Sequence, residues 1–249
     1  MNQVTTVLTV FNRLHYLPSQ LKAIKDQSIP SDIFMIWRNK TPYDLQYPCI
    51  IYQNETQHFN SLYGRFYNSL HIKTPYVFIV DDDILPGKKY IERCIEFSKK
   101  ENDKVVICHY GVIVDSNNIN YRTAEKVNPD TFLEIPTQVN MGGQGWFLKT
   151  ELLNHFLDEY IIDESTGEDL HFSFSLANKN IPIFILDKDK NDKDTWQDLT
   201  LGERGADDYS QWKNNPTHYK TRDFLLKAYA EKGWNFSRDR TKKYKNRLV

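Results

Sequence analysis

Tyr76-Val77-Phe78-Ile79-Val80-Asp81-Asp82-Asp83 runs five apolar residues straight into three carboxylates. An apolar run of that length, rich in β-branched residues, reads as a strand buried on both faces. The acids stand just past its carboxyl end, the place where ligands bind in an open α/β sheet. Three neighbouring carboxylates repel one another and raise each other's pKa. A divalent cation relieves that repulsion, and hard oxygen donors select Mn²⁺ or Mg²⁺. Strand alternation puts Asp81 and Asp83 on one side and Asp82 on the other. The competing reading, acids placed at the start of a helix near Gly87, accounts for one or two of them but not readily for three.

Outward from this stretch, the first half alternates strand-like and helix-like segments. Val4–Phe11, Ile33–Trp37, Ile50–Tyr52 and Val105–His109 read as strands, while Leu17–Gln27, Phe59–His71 and Gly87–Lys100 carry apolar residues at helical spacing. That succession predicts an α/β fold with a mostly parallel central sheet and helices on both faces. The second half is less regular. Val112–Val114, Phe132–Ile135, Trp146–Leu148 and Ile183–Leu186 read as strands, Glu151–Leu157, Glu168–Asn178 and Thr221–Lys232 as helices, and Asp187–Asp194 and Thr200–Asn215 as loop. No linker splits the chain, so the expectation is one domain over 1–249, with a nucleotide-binding half (1–110), an acceptor-binding half (111–235) and a basic tail (236–249).

Composition narrows the class. The chain has 249 residues, with 32 Lys+Arg against 33 Asp+Glu and a formal net charge of −1. Such a balance supplies no field for nucleic-acid binding. No apolar run reaches the roughly 18–20 residues of a membrane span. The start lacks the basic region of a secretory signal, so a cytoplasmic protein is expected, with Cys49, Cys94 and Cys108 as structural thiols. The tail from Arg238 to Arg247 is either solvated or makes weak contact with an anionic membrane surface.

Two further motifs carry chemistry. Gly142-Gly143-Gln144-Gly145 precedes Trp146 and reads as a flexible loop that lets a ligand approach the backbone, or else as a tight turn into a strand. Trp146 either stacks on a sugar or fills the core. Glu168-Asp169 opens a helix, which makes Asp169 either a cap or a general base whose neighbour Glu168 raises its basicity.

The ordered set, Thr9-Val10-Phe11-Asn12-Arg13, Trp37-Arg38-Asn39, Asn60…Arg65 and Val80-Asp81-Asp82-Asp83, resembles the GT-A glycosyltransferases, most closely the exostosin-like N-acetylhexosaminyltransferases. Gly142–Leu148 followed by Gly167-Glu168-Asp169-Leu170 resembles the family-2-like inverting enzymes. The resemblance covers about Val4 to Lys179 and implies a GT-A fold that transfers sugar from a nucleotide-diphosphate donor, UDP-sugar favoured, to a hydroxyl of a glycan acceptor. It implies that Asp83 and Asp81 ligate Mn²⁺ or Mg²⁺, with His218 as a further metal ligand. Thr9, Phe11, Arg13, Asn39, Asn60, Arg65, Asp81 and Asp82 would contact the nucleotide. Gly143, Gln144 and Trp146 would line the sugar and acceptor, and Asp169, with Glu168 orienting, would act as the base of an inverting transfer by the family-2-like resemblance, whereas the exostosin-like resemblance implies retention. The plain alternatives are surface salt bridges for Arg13 and Arg65 and a solvated loop histidine at His218. Two other functions compete: a sugar nucleotidyltransferase, which would want a Gly-rich phosphate loop absent from Val10–His15, and a non-catalytic carbohydrate-binding module.

Overall fold

The computed structural model describes residues 2–38, 50–52, 62–189, 191–195 and 207–236. Nine strands form one sheet in the order β3-β2-β1-β4-β8-β5-β9-β7, with β6 (Glu125–Val127) paired to β5. Strands β1 (Val4–Val10), β2 (Ser31–Trp37), β3 (Ile50–Tyr52) and β4 (Tyr76–Val80) lie parallel in register. Their apolar β-branched runs demand cover on both faces, and they receive it. Leu8, Phe78 and Val80 pack toward α1 (Leu17–Lys25) and α3 (Tyr90–Lys100). Val7, Val77 and Ile79 pack toward α2 (Gly64–Ser69) and α4 (Glu168–Asn178). Every residue of β4 is buried, and each such Val, Ile or Phe contributes about 1.5–3 kcal/mol.

The parallel order stops at β8 (Met141–Lys149), which runs antiparallel between β4 and β5 (Val106–Ile113). Of the eight described pairings four are parallel and four antiparallel, so the sheet is mixed rather than mostly parallel. Beyond β5 come β9 (Ile183–Ile185) and β7 (Thr137–Val139). The expected strand at 132–135 is only a single bridge from Leu133 to Lys188. Within the expected loop 200–215, α5 (Gln211–Asn214) forms, and α6 begins three residues early, at His218, and runs to Glu231. That helix closes a third apolar cluster, in which Leu225, Leu226 and Tyr229 meet Leu170, Phe174 and Met141.

The four residues Gly142–Gly145 are not a loop. They lie inside β8, and their glycines accommodate the large side chains of β5 across a bulge between Cys108 and Tyr110. A Cβ at Gly142 would drive into Cys108 Sγ, one at Gly145 into the His109 imidazole, and one at Gly143 would meet the Tyr110 ring at 3.1 Å. Trp146, the next residue and the partner of Ile79 on β4, is fully buried, edge-on to Phe66 at 5.5 Å and tilted against Phe172 at 5.4 Å. It is a core residue and presents no face to a sugar. Cys94 and Cys108 are free and buried, and Cys49 lies outside the described residues. Among the described residues no helix is long and apolar enough to cross a membrane.

Candidate functional site

Beyond Val80 the chain leaves the sheet and turns, Ile84 N–H donating to the Asp81 carbonyl at 3.3 Å. Gln20 of α1 holds the turn through its Nε2, which donates to the carbonyls of Asp81 (2.8 Å) and Ile84 (3.0 Å). Strand alternation decides what Asp81 and Asp82 meet. Asp81 continues the Val77/Ile79 side and is gripped by Arg65 from α2, whose Nη2 also donates to Glu168 of α4 at 2.5 Å. Asp82 continues the Phe78/Val80 side and meets Arg13, which precedes α1, at 2.5 Å. The turn breaks the alternation at Asp83, whose carboxylate lies 3.4 Å from the same Arg13 Nη1. Arg13 is completed by Asp207, at 2.7 Å from Nε and 3.0 Å from Nη2. Neither arginine is a solvated surface residue: Arg65 is 6% exposed, and Arg13 keeps 10% of its side chain in solvent.

These carboxylates are electrostatically costly. Burial pushes the Asp81 carboxyl up to about 7, Arg65 opposing and the charges of Asp83 and Asp82 adding. Burial likewise lifts Asp83 to about 6, against Arg13 and with the help of Asp82. Asp82 and Glu168 are raised in the same sense, burial first in each case. The donor set has the chemistry of a hard-cation site, since Mg²⁺-type ions are commonly held by one or two carboxylates together with substrate phosphates. Among the described residues no group of three His, Cys, Asp or Glu converges to enclose a metal.

On the other flank, the Gly167 backbone is left-handed (φ 84°) where α4 starts, and it delivers Glu168 and Asp169 buried, 1% and 7% exposed. Asp169 Oδ1 accepts the Leu170 N–H at 2.8 Å, but the N-cap residue of α4 is Gly167 and it carries no side-chain cap bond, so Asp169 is not the cap. Its Oδ2 accepts from Arg222 Nη2 of α6 at 2.7 Å. Arg222 lies over the Tyr121 ring at 4.9 Å, and Lys126 Nζ sits 4.2 Å from the centre of that ring.

Gln144 of β8 meets the strand end. Its carbonyl accepts the Asp81 N–H at 2.9 Å, and its backbone is held left-handed at φ 65°, a strained setting for a residue with a Cβ. Among the described residues, five buried polar atoms around the site lack a hydrogen-bond partner: Thr9 Oγ1, Arg65 Nε, Gln144 Oε1, Glu168 Oε2 and Arg222 Nε.

The structure thus brings Arg13, Arg65, Asp81, Asp82, Asp83, Gln144, Glu168 and Asp169 together beyond the carboxyl end of β4, in the middle of the sheet. Thr9 is the next-to-last residue of β1, and Phe11, just after the strand, lies under the Arg38 guanidinium at 5.2 Å. Gly143 stays in β8 against Tyr110, and Asn39 and Asn60 fall outside the described residues. His218 does not join Asp81 and Asp83. It starts α6 beside Tyr121, ring centres 6.1 Å apart, with burial first and then Arg222 holding its imidazole down to about 4 against the pull of Asp169. His171 is a core histidine, with ring nitrogens on Tyr229 Oη (3.1 Å) and the Phe156 carbonyl (2.9 Å). His109 is buried, stacked on Tyr90 at 4.3 Å. Sequence reasoning missed Arg222, Asp207 and Gln20. Arg222 had a signal, since it lies four residues after His218, on the same helix face. Asp207 had none within its polar, mixed-charge surroundings.

Two crystal structures of TarS from S. aureus share the fold. One, of residues 1–349, aligns with a TM-score of 0.51 at 16% identity over 76% of this chain and 59% of that one. The other aligns with a TM-score of 0.53 at 14% identity over 96% of this chain and 45% of that one. The chain therefore spans about three-fifths of the shorter TarS chain and under half of the longer. A search of curated proteins finds no match. The glycosyl transferase family 64 domain matches residues 4–232, from the first residue of β1 to the residue after α6. A match of that extent sets aside both the nucleotidyltransferase and the non-catalytic module, and the chain belongs to glycosyl transferase family 64.

Proposed function

We propose that this glycosyltransferase takes its sugar from a nucleotide-diphosphate donor, UDP-sugar favoured, and passes it to a hydroxyl of a glycan acceptor with Asp169 as base. One observation carries the reading. Two runs of ion pairs, Asp81–Arg65–Glu168 and Asp169–Arg222, meet at the neighbouring residues Glu168 and Asp169 and so tie the acidic strand end to the acidic helix start. Donor and acceptor chemistry require those two groups side by side. Thr9 Oγ1, buried and unpartnered at the end of β1, and the Phe11–Arg38 pair suit the nucleoside end of the donor.

Asp81 and Asp83 would hold Mn²⁺ or Mg²⁺ jointly with the diphosphate, and the cation would supply charge compensation for the departing nucleotide diphosphate. Arg13 and Arg65 would exchange part of their carboxylate pairing for phosphate oxygens, which guanidinium geometry suits. Asp169, oriented by the Leu170 N–H and by Arg222, would take the acceptor hydroxyl proton on Oδ2 as the new glycosidic bond forms. Glu168, bound to Arg65, would position that helix start. A carboxylate base acting on the acceptor favours inversion at the sugar carbon.

The test incubates the protein with UDP-, GDP- and dTDP-sugars, with Mn²⁺, Mg²⁺ or EDTA, and measures release of nucleotide diphosphate. Turnover dependent on the cation, and lost in Asp83→Ala and Asp169→Ala, is expected. Binding of none of the donors, or full turnover in Asp169→Ala, overturns the proposal.

A further inference from the structure

Asp207 does two things at once. Its carbonyl accepts from Ser210 N–H at 3.2 Å and Asn214 Nδ2 at 2.8 Å, and its Oδ1 accepts the Tyr209 N–H at 3.0 Å, which closes a compact turn leading into α5. The same carboxylate grips Arg13, which reaches Asp82 and Asp83. At its other end α5 packs on α6, whose Arg222 holds Asp169. The segment from Asp207 to Asn214 therefore runs between the two halves of the site and is fastened to both.

Two large aromatics ride on that segment in solvent, Tyr209 at 47% and Trp212 at 50% exposure. Among the described residues neither ring stacks on another. Of the other large exposed apolar side chains described, Phe132, Leu157 and Tyr160 belong neither to this segment nor to α6, while Phe224 lies on α6 two residues after Arg222. Aromatic surface left in water beside a polar site is a binding face. We propose that Tyr209 and Trp212 form a stacking platform for a sugar ring of the acceptor glycan. The apolar C–H face of a pyranose fits a flat ring, while its hydroxyls remain free for the polar groups around Asp169. Because Asp207 anchors the platform to Arg13, its position would be set by the residues that also face the donor. This inference rests on the glycan-acceptor reading above.

The experiment uses an array of immobilised oligosaccharides probed with wild type, Trp212→Ala, Tyr209→Ala and Trp212→Phe, each with and without UDP and Mn²⁺. UDP affinity by calorimetry and mass by sedimentation are measured in parallel. Glycan retention is expected to fall roughly tenfold in Trp212→Ala and Tyr209→Ala and to stay within about twofold of wild type in Trp212→Phe, with UDP affinity unchanged. Retention unaltered in both alanine variants overturns the platform. So does a wild type that binds UDP yet retains no glycan, or a change of mass in the variants with retention intact, which would make this face a contact between copies. Glycan retention lost as expected in a protein that fails to bind UDP would strike the donor reading and leave the platform standing.

Discussion

Arg65→Met tests whether the site is built on a buried, charge-balanced core. Arg65 is 6% exposed and donates to Asp81 and, at 2.5 Å, to Glu168, which is 1% exposed. Glu168 Oε2 already lacks a partner. Removing the guanidinium leaves Glu168 as an uncompensated buried charge, a loss of about 3–5 kcal/mol. With a urea slope of about 3 kcal/mol/M, the midpoint falls by roughly 1–1.7 M. Tryptophan fluorescence reports the transition, because Trp37, Trp146 and Trp234 are buried.

The pH dependence separates charge from packing. Burial holds the Glu168 carboxyl above its ordinary 4.5 with Arg65 opposing, so loss of Arg65 drives it higher. The native variant then binds more protons than the unfolded chain at pH values above 4.5, and its stability falls as pH rises. The deficit of Arg65→Met is therefore larger at pH 8 than at pH 5. In Arg65→Met/Glu168→Gln most of the loss at pH 8 is recovered. A variant within about 1 kcal/mol of wild type at pH 8, or an equal loss at both pH values without recovery in the double variant, refutes the reasoning.

Gly145→Ala should cost about 2–3 kcal/mol in urea unfolding, because its Cβ collides with the buried His109 ring, whereas Gly143→Ala, 3.1 Å from a Tyr110 ring edge, should cost less. Gln144→Gly relieves a left-handed backbone at φ 65° and should raise stability by about 0.5–1 kcal/mol after the entropy of the added glycine, read by the same assay. His218 is held down to about 4 from 6.5, so the unfolded chain binds the extra proton between those values. Stability contributed there is present above pH 6.5 and lost as pH falls toward 4. Thermal melts of His218→Gln should show a shallower decline across that window than wild type.

What was legible in the sequence follows from where the information lies. Val4–Val10 and Tyr76–Val80 announce themselves because a strand buried on both faces needs no particular partner, only an unbroken apolar run. The acids after Val80 and at 168–169 were legible because each follows from a local boundary, a strand end and a helix start. Gly142–Gly145 misled because the reason for its glycines lies on another strand: Cys108, His109 and Tyr110 occupy the space a Cβ would need. Trp146 followed from the same error, since the next residue along that central strand is packed by Phe66 and Phe172 rather than offered to a ligand. Asp207 and Arg222 were invisible for a related reason. An ion pair spanning 194 residues, as between Arg13 and Asp207, leaves no periodic trace at either end.

The charge balance of the assembled site leads to a final prediction. Six carboxylates, Asp81, Asp82, Asp83, Glu168, Asp169 and Asp207, are matched by three guanidiniums, Arg13, Arg65 and Arg222, a difference of three negative charges when all are ionised. Burial raises the carboxyls of Asp81 and Asp83, and the neighbouring carboxylates push in the same direction against the arginines. A nucleotide diphosphate adds more negative charge beyond the same strand end, so under the proposed function its binding must be linked to that of a cation. UDP affinity measured calorimetrically should rise at least tenfold from EDTA to millimolar Mn²⁺, a change of about 1.4 kcal/mol. Asp83→Asn removes one of the charges and weakens the cation's hold, so the gain from Mn²⁺ should shrink in that variant while affinity in EDTA improves. Equal UDP affinity with and without the cation would mean that Arg13 and Arg65 alone carry the diphosphate, and that the acids beyond Val80 serve only to orient them.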